Sequence, residues 1–297
     1  MRKAVATALA ILSVAILRAQ DAGSSAMPFS LVPRDARTLS LGLVSDISDP
    51  AYRLLDGQKL NASLSWYSWA PSGTSSTDIN ADAFVRLGQK FGVAFQFGFD
   101  SGSAYDIYDA DGIKGDSFNP SELFVKLGAS YRILPMLSAS LSARYMSNTI
   151  APEQSYSAFA GDALVAASFG SARAAAGVCN IGTPVTASDG TSYGLPAAVS
   201  VAGGYKFLFA DVHSLDASAQ ADVFFRGGLR AGVGAEYGFK DLAFIRLGYS
   251  YGGKSPMPSC FTIGIGARYY GFTIDAVCLL GTPAISGTLG VAMGYRF

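Results

Sequence analysis

The sequence predicts an all-β fold: a transmembrane antiparallel β-barrel of about 14 strands with an N-terminal plug-like segment. Three observations carry this. The first is period-2 alternation. At the end of the chain Leu289, Val291, Met293, Tyr295 and Phe297 share one face, and Thr288, Gly290, Ala292, Gly294 and Arg296 the other. The second is length. Most alternating stretches approach the ~9–11 residues that a tilted strand needs to cross a bilayer, against ~5–6 for globular strands. The third is that short turns alternate with longer loops along the chain. An outer-membrane barrel has that asymmetry, with the short turns periplasmic, and a soluble sandwich has no reason for it.

Residues 1–20 read as a signal peptide. Arg2 and Lys3 supply the positive start, residues 4–17 the apolar stretch, and a cut fits near Ala19 or Gln20. The apolar stretch is shorter than the ~20 residues of a spanning helix. Later stretches of that length all carry polar interruptions, so a span must be a closed barrel.

Residues 21–59 form the plug-like segment. Residues 28–33 read as extended and residues 34–42 as a short helix or turn. Ser48-Asp49-Pro50 resembles a helix start, with Tyr52, Leu54 and Leu55 following. A plug inside the barrel is one reading; a periplasmic extension or an ordinary arm is the other.

Residues 60–297 form the barrel. Its strands are expected at 61–69, 78–87, 91–100, 122–131, 137–147, 156–169, 172–180, 197–207, 213–225, 230–239, 242–251, 260–269, 272–280 and 286–297. The clearest is 91–100, where Phe91, Val93, Phe95, Phe97 and Phe99 oppose Gly92, Ala94, Gln96, Gly98 and Asp100. Residues 88–90, 170–171, 240–241 and 270–271 make tight turns, and 132–136 and 208–212 somewhat longer ones. Residues 101–121, 181–196 and 252–259 make long loops on the other side, where only 226–228 is short. The last strand should pair with the first and remove both sheet edges.

Charge excludes several function classes. Lys plus Arg equals Asp plus Glu at 22 each, so no net field favours nucleic acid. Charged residues are 15% of the chain, against a usual quarter, while aromatics reach 12%. On the strand parity, Asp82, Arg86, Glu122, Lys126, Arg144, Asp162, Asp216, Asp222, Arg230, Glu236, Arg246, Arg268, Asp275 and Arg296 face the lumen. Turned towards lipid, a midplane charge would cost ~2–4 kcal/mol. Two readings of these inward charges stay open: structural cross-strand salt bridges and plug contacts, or a polar permeation path.

The remaining chemical signals are weak. Gly232-Val233-Gly234 and Gly264-Ile265-Gly266 lie mid-strand, without the strand–loop–helix context of a nucleotide loop. They read instead as small lumen-facing residues that let a plug approach the wall. Asp106, Asp109, Asp111 and Asp116 crowd one long loop without EF-hand spacing, so a solvated loop is expected rather than a Ca²⁺ site. Three cysteines and one histidine make no zinc motif or His-based triad. Cys179 and Cys260 fall on inward parity and Cys278 outward, as free buried thiols. No nucleophile, base and orienting group converge, so no enzyme and no cofactor is expected.

The motifs, taken in order, resemble the PorV/PorQ family, a branch of the FadL-like outer-membrane barrels associated with type IX secretion. The resemblance rests on residues 29–42 with their Ala36-Arg37 pair and Gly42, on Ala143-Arg144-Tyr145 with Gly161-Asp162, and on Asn180-Ile181-Gly182. Leu195-Pro196, Gly234-Ala235-Glu236-Tyr237, Ile245-Arg246-Leu247-Gly248-Tyr249, Ile274-Asp275 and Tyr295-Arg296-Phe297 complete it. Ser48-Asp49-Pro50-Ala51 stands where FadL-like chains usually carry Asn-Pro-Ala. The resemblance implies a non-enzymatic component that binds type IX secretion subunits or secreted cargo. The alternative it implies is a FadL-like channel for small hydrophobic molecules. It also implies that Tyr295 and Phe297 form an assembly signal for the barrel assembly machinery, with outer-membrane lipid as the surrounding partner.

Overall fold

The computed structural model describes residues 25–69, 75–109, 111–210, 212–252, 258–282 and 285–297. The expected signal peptide, residues 1–20, lies outside the described residues. Fourteen antiparallel strands close into a barrel. They are β1 (Leu60–Trp69), β2 (Ser76–Leu87), β3 (Phe91–Gly102), β6 (Ser121–Leu134), β7 (Leu137–Ala151), β8 (Gln154–Phe169), β9 (Ala172–Gly182), β12 (Ala198–Phe209), β13 (His213–Phe224), β14 (Leu229–Phe239), β15 (Ala243–Tyr251), β16 (Cys260–Tyr269), β17 (Phe272–Gly281) and β18 (Thr288–Arg296). Two short hairpins sit outside the barrel sheet: β4 (Tyr105–Tyr108) with β5 (Lys114–Phe118), and β10 (Val185–Thr186) with β11 (Ser192–Tyr193). Both lie in long loops; β4–β5 is exposed, whereas Val185 of β10 is buried against Met27 and Phe29 of the N-terminal segment.

Each barrel strand pairs with its neighbour in chain order, and the seam closes β1 on β18 from Asn61↔Arg296 to Ser68↔Leu289. Closure leaves no unpaired sheet edge. The alternation decides which side faces out. Leu64, Phe91, Leu127, Phe159, Ile265 and Met293 are exposed on the outer wall. A band of this kind is stable only against lipid.

One connection differs from expectation. Residues 148–155 form no loop: β7 and β8 both run on to a tight turn at Pro152 and Glu153, after a register shift between Thr149 and Ala151. The physical reason is that this end of the hairpin is polar, so it has no apolar face to mark it as strand. Glu153 takes a left-handed φ of 63° without being glycine. The long-loop rim therefore has two short turns rather than one.

Inside the barrel lies the N-terminal segment. It contains a 3₁₀ turn (Pro28–Leu31), helix α1 (Ala36–Ser40), a second 3₁₀ turn (Asp46–Ser48) and helix α2 (Pro50–Leu55). Both helices begin on an aspartate cap. Asp35 accepts from the Thr38 amide, and Asp49 accepts from the Ala51 amide ahead of Pro50 at the first helical position. Asp49 also accepts from Ser140 Oγ of the wall at 2.7 Å. Asp49→Ala should therefore lower the urea unfolding midpoint by the equivalent of ~1–2 kcal/mol, the upper range for a lost cap. An unchanged midpoint would show that the cap does not hold α2.

The core lies between plug and wall, because the inward faces of the strands have no other apolar partner. Leu31, Ala36, Leu39 and Leu43 pack with Tyr67, Phe224, Val277, Leu279 and Ile285. Met27 and Phe29 pack with Phe124, Met146 and Leu195. Leu54 packs with Phe84 and Ala94. Against β14–β16 the plug approaches closer than any side chain would permit. A Cβ on Gly232 would lie 2.4 Å from Gly42 O, on Gly234 2.5 Å from Leu41 O, and on Gly264 2.4 Å from Ser40 Cβ. On Gly248 it would lie 2.1 Å from Gly42 N. The mid-strand glycines of β14–β16 are thus a seat for the Ser40–Gly42 turn. Thr262 reinforces it: its Oγ1 donates to Ser40 O at 2.9 Å and accepts from Gly42 N at 3.0 Å.

Candidate functional site: the plugged lumen

The site is the lumen itself, and charge organises it. Three plug arginines reach the wall. Arg34 meets Asp78 of β2 at 3.0 Å, and Arg53 meets Asp82 of the same strand at 2.6 Å. Arg37 grips Glu236 of β14 with two bonds, at 2.8 and 2.9 Å. Glu236 also accepts from Arg246 of β15 at 2.6 Å, and Arg246 continues to Asp275 of β17. One carboxylate thus joins plug and wall, in the fork geometry that makes arginine–carboxylate pairs directional.

A second cluster lies across the lumen. Asp162 of β8 meets Lys126 of β6 at 2.9 Å and also pairs with Arg144 of β7. Arg144 donates to Asn180 Oδ1 at 2.7 Å and to Ser30 O of the plug. Asn180 reaches this cluster through a β-bulge. Two residues of β9, Cys179 and Asn180, oppose Asp162 alone, where the register shifts between Gly161 and Ala163. Asn180 has φ 57°, and its amide donates to Asp162 Oδ1 at 2.8 Å. The bulge turns a side chain inward that simple alternation would place outside.

Other inward charges meet charged or neutral partners. Arg230 donates to Asp222 at 2.7 Å and to Leu31 O of the plug at 2.9 Å. Arg173 meets Asp216 at 2.7 Å. Asn148 Nδ2 donates to Glu122. At the short-turn rim, Arg268 meets Asp241 at 2.9 Å, Arg296 pairs with Asp56, and Arg86 donates to Gly57 O. Arg86, Arg268 and Arg296 therefore sit at one end of the barrel. Lys126, Arg144, Asp162, Glu236, Arg246 and Asp275 sit deeper. The plug residues Arg34, Arg37 and Arg53 complete the network and were not expected from sequence. Their signal was three arginines within one short segment of a chain poor in charge.

Two cavities flank the plug. The larger, about 130 Å³, lies between residues 30–34 and 48–50 of the plug and the walls of β6–β9 and β12–β14. The smaller, about 80 Å³, lies towards the short-turn rim, beside Arg37, Arg53, Gln58, Arg246 and Arg296.

At the seam, Lys59 N and Leu60 N both donate to Phe297 O, and Phe297 N donates back to Leu60 O. Tyr295 packs against Phe272, and the Lys59 ammonium lies over the Phe297 ring. The cysteines are free. Cys260 is buried, but Cys179 and Cys278 are half-buried rather than buried as expected. His213 at the start of β13 bonds the Tyr237 hydroxyl at 2.6 Å within an aromatic group with Phe209 and Phe239. The acidic loop forms the β4–β5 hairpin. There the Lys114 ammonium and the Ser117 hydroxyl hold the exposed Asp106 carboxyl below its ordinary range. Among the described residues no three acidic, cysteine or histidine side chains gather as a metal site.

No family model matches the chain, and no curated protein matches it by sequence. Solved structures do match in fold. The toluene transporter TbuX of Ralstonia pickettii aligns over 90% of this chain and 99% of its own, with 13% identity and a TM-score of 0.62. The toluene transporter TodX of Pseudomonas putida aligns over 90% and 98%, with 13% identity and a TM-score of 0.57. A structure described as the CymD monoaromatic hydrocarbon channel aligns over 90% and 96%, with 10% identity and a TM-score of 0.56. The shared architecture is the fold alone: a closed fourteen-stranded antiparallel β-barrel.

Proposed function

We propose that the chain is a non-enzymatic outer-membrane channel for small hydrophobic molecules, with residues 25–59 as its gate. The manner in which the lumen is filled carries this reading. Around the plug, ion pairs such as Arg34–Asp78, Arg37–Glu236 and Arg53–Asp82 stand beside the apolar contacts, and cavities remain on two sides. Water can replace polar contacts of this kind as a plug shifts. The wall has its own strand-to-strand hydrogen bonds and does not depend on the plug for them. The shared fold with proteins described as toluene transporters supports small hydrophobic molecules as the solute class. In this reading Tyr295 and Phe297 serve insertion by the barrel assembly machinery, outer-membrane lipid surrounds the apolar band, and no cofactor takes part.

Labelled toluene uptake tests the reading. Cells making the chain should take up toluene several-fold faster than cells carrying an empty vector, and equal rates would sink it. The second reading is a docking role in type IX secretion. The exposed β4–β5 hairpin and the order of the PorV/PorQ-like motifs favour it, while no family match does. Its test is whether secretion subunits or cargo co-purify with the barrel from native membranes.

A further inference from the structure

We propose that the short-turn rim is a docking surface for an anionic phospholipid leaflet, with the β6–β7 and β12–β13 turns dipping into it and rim lysines holding its phosphates. The inference deepens the outer-membrane reading above and rests on it. It starts from turns that are apolar where a water-facing turn would be polar. Ile133, Leu134 and Met136 at one turn, and Leu208 and Phe209 at the other, are exposed, Leu208 by 73%. Phe169 is exposed at the β8–β9 turn between them. The patch continues the outer wall. Tyr131 and Ile133 are successive outward positions of β6, as are Tyr205, Phe207 and Phe209 of β12, and all are exposed. A contiguous exposed apolar patch marks a membrane or partner surface.

Length makes lipid the occupant. On β7 and β8 the outward apolar side chains end at the Tyr145–Phe159 pair, with Ser147 opposite Ser157 beyond it. From Tyr145 to Leu137 the strand advances ~26 Å, which is about 20 Å along the barrel axis at a tilt of ~40°. The apolar band of an outer-membrane barrel is ~25 Å tall. The band therefore takes in the β6–β7 turn. Charge makes the lipid anionic. The Lys240 ammonium lies 5.4 Å from the centre of the Phe239 ring, and the Lys59 ammonium 4.3 Å from that of Phe297. Both rings are exposed on the outer wall, so both ammoniums stand where headgroups would meet it. Among the described residues the lysines in ion pairs are Lys114 and Lys126, not these two. The rim carboxylates Asp56 and Asp241 are taken by Arg296 and Arg268. A lysine so placed is attracted to an anionic leaflet over about a Debye length. The long-loop rim instead exposes Asp106, Asp109, Asp116, Glu153 and Asp189. The Lys240 amide donates to Val212 O, which joins this lysine's turn to the apolar β12–β13 turn.

Tryptophan quenching by brominated phosphatidylcholine tests this on the full chain in bilayers, with Trp66→Phe and Trp69→Phe clearing the background. Three reporters are compared: Phe209→Trp at the apolar turn, Gln89→Trp at the polar β2–β3 turn, and Ile265→Trp on the outer wall. Phe209→Trp should be quenched as strongly as Ile265→Trp, and Gln89→Trp several-fold less. Unbrominated phosphatidylglycerol should relieve the quenching of Phe209→Trp several-fold more effectively than unbrominated phosphatidylcholine, and Lys240→Gln should make the two lipids equal. Phe209→Trp quenched no more than Gln89→Trp, equal relief by the two lipids before Lys240 is changed, or a preference that survives Lys240→Gln would each overturn the docking surface. The first of these beside a crosslinked pair of chains would give the face to a second copy. Any of these results beside quenching of Ile265→Trp removes the surface and leaves the membrane reading. Absent quenching of Ile265→Trp removes the membrane reading itself.

Discussion

Gly42→Val is expected to abolish the plugged, heat-modifiable barrel or to shift its unfolding midpoint further than other single changes in the plug. Two effects act at this position. Gly42 has φ 68°, a conformation that a β-branched residue adopts only under strain of ~1–3 kcal/mol. Its added Cβ would also stand 2.3 Å from Val233 O and 2.6 Å from Tyr249 O, and neither backbone can retreat without breaking β14 and β15. Overpacking of this kind typically costs ~1–3 kcal/mol more. Gly57→Ala separates the two effects. Gly57 has φ 77° but nothing within 4 Å of the added atom, so only the strain remains. The gel shift on heating and the urea midpoint of both variants measure the difference. A Gly42→Val barrel as stable as the Gly57→Ala barrel would show that the glycine seat does not hold the plug.

Glu236→Leu is the second large effect. It leaves the Arg37 and Arg246 guanidiniums facing each other without the carboxylate that joins them, although Arg246 keeps Asp275. Removing one partner of a buried pair costs ~3–5 kcal/mol, largely because a buried charge loses its neutralisation. The loss should fall on the plug rather than on the wall. Chymotrypsin added to the folded barrel should therefore cut the N-terminal segment of the variant faster, while the strands stay protected. Adding Arg37→Met in the same chain should restore part of the midpoint, since a wholly apolar replacement of an ion pair is often nearly neutral. A variant with unchanged protease sensitivity and midpoint would assign the triad no role in seating the plug.

Most of the wall was legible in the sequence because lipid imposes one rule on every strand. Phe91 to Phe99 and Leu289 to Phe297 must put apolar side chains out, so their alternation is plain. The rule lapses where a strand rises beyond the apolar band. There Asn148, Thr149, Gln154 and Ser155 carry no such pattern, and the β7–β8 turn was read as a loop. The site was half legible. Inward charges such as Glu236, Arg246 and Asp162 follow from parity. Their plug partners do not, because Arg34, Arg37 and Arg53 lie in short irregular turns where no period links position to direction. Asn180 escaped for a related reason: a bulge breaks parity by one residue, and a left-handed asparagine leaves no mark in composition. The glycines of β14–β16 were visible as lumen-facing, but what they received became clear only with Leu41 and Gly42 in place.

The seam carries a consequence for how the molecule forms. Asn61 pairs with Arg296, and Lys59 and Leu60 bond the backbone of Phe297, so the first strand of the barrel waits for β18 to be made. Contacts so distant in sequence are slow to nucleate, because their chain entropy is lost before they return any stability. Until that last pairing, β1 and β18 are open templates for other chains. The segment joined to β1 through residues 56–59 lies inside the wall that this pairing closes. Refolding should therefore be rate-limited by one late step that joins the two ends, and its failure should yield intermolecular strand exchange rather than an empty barrel.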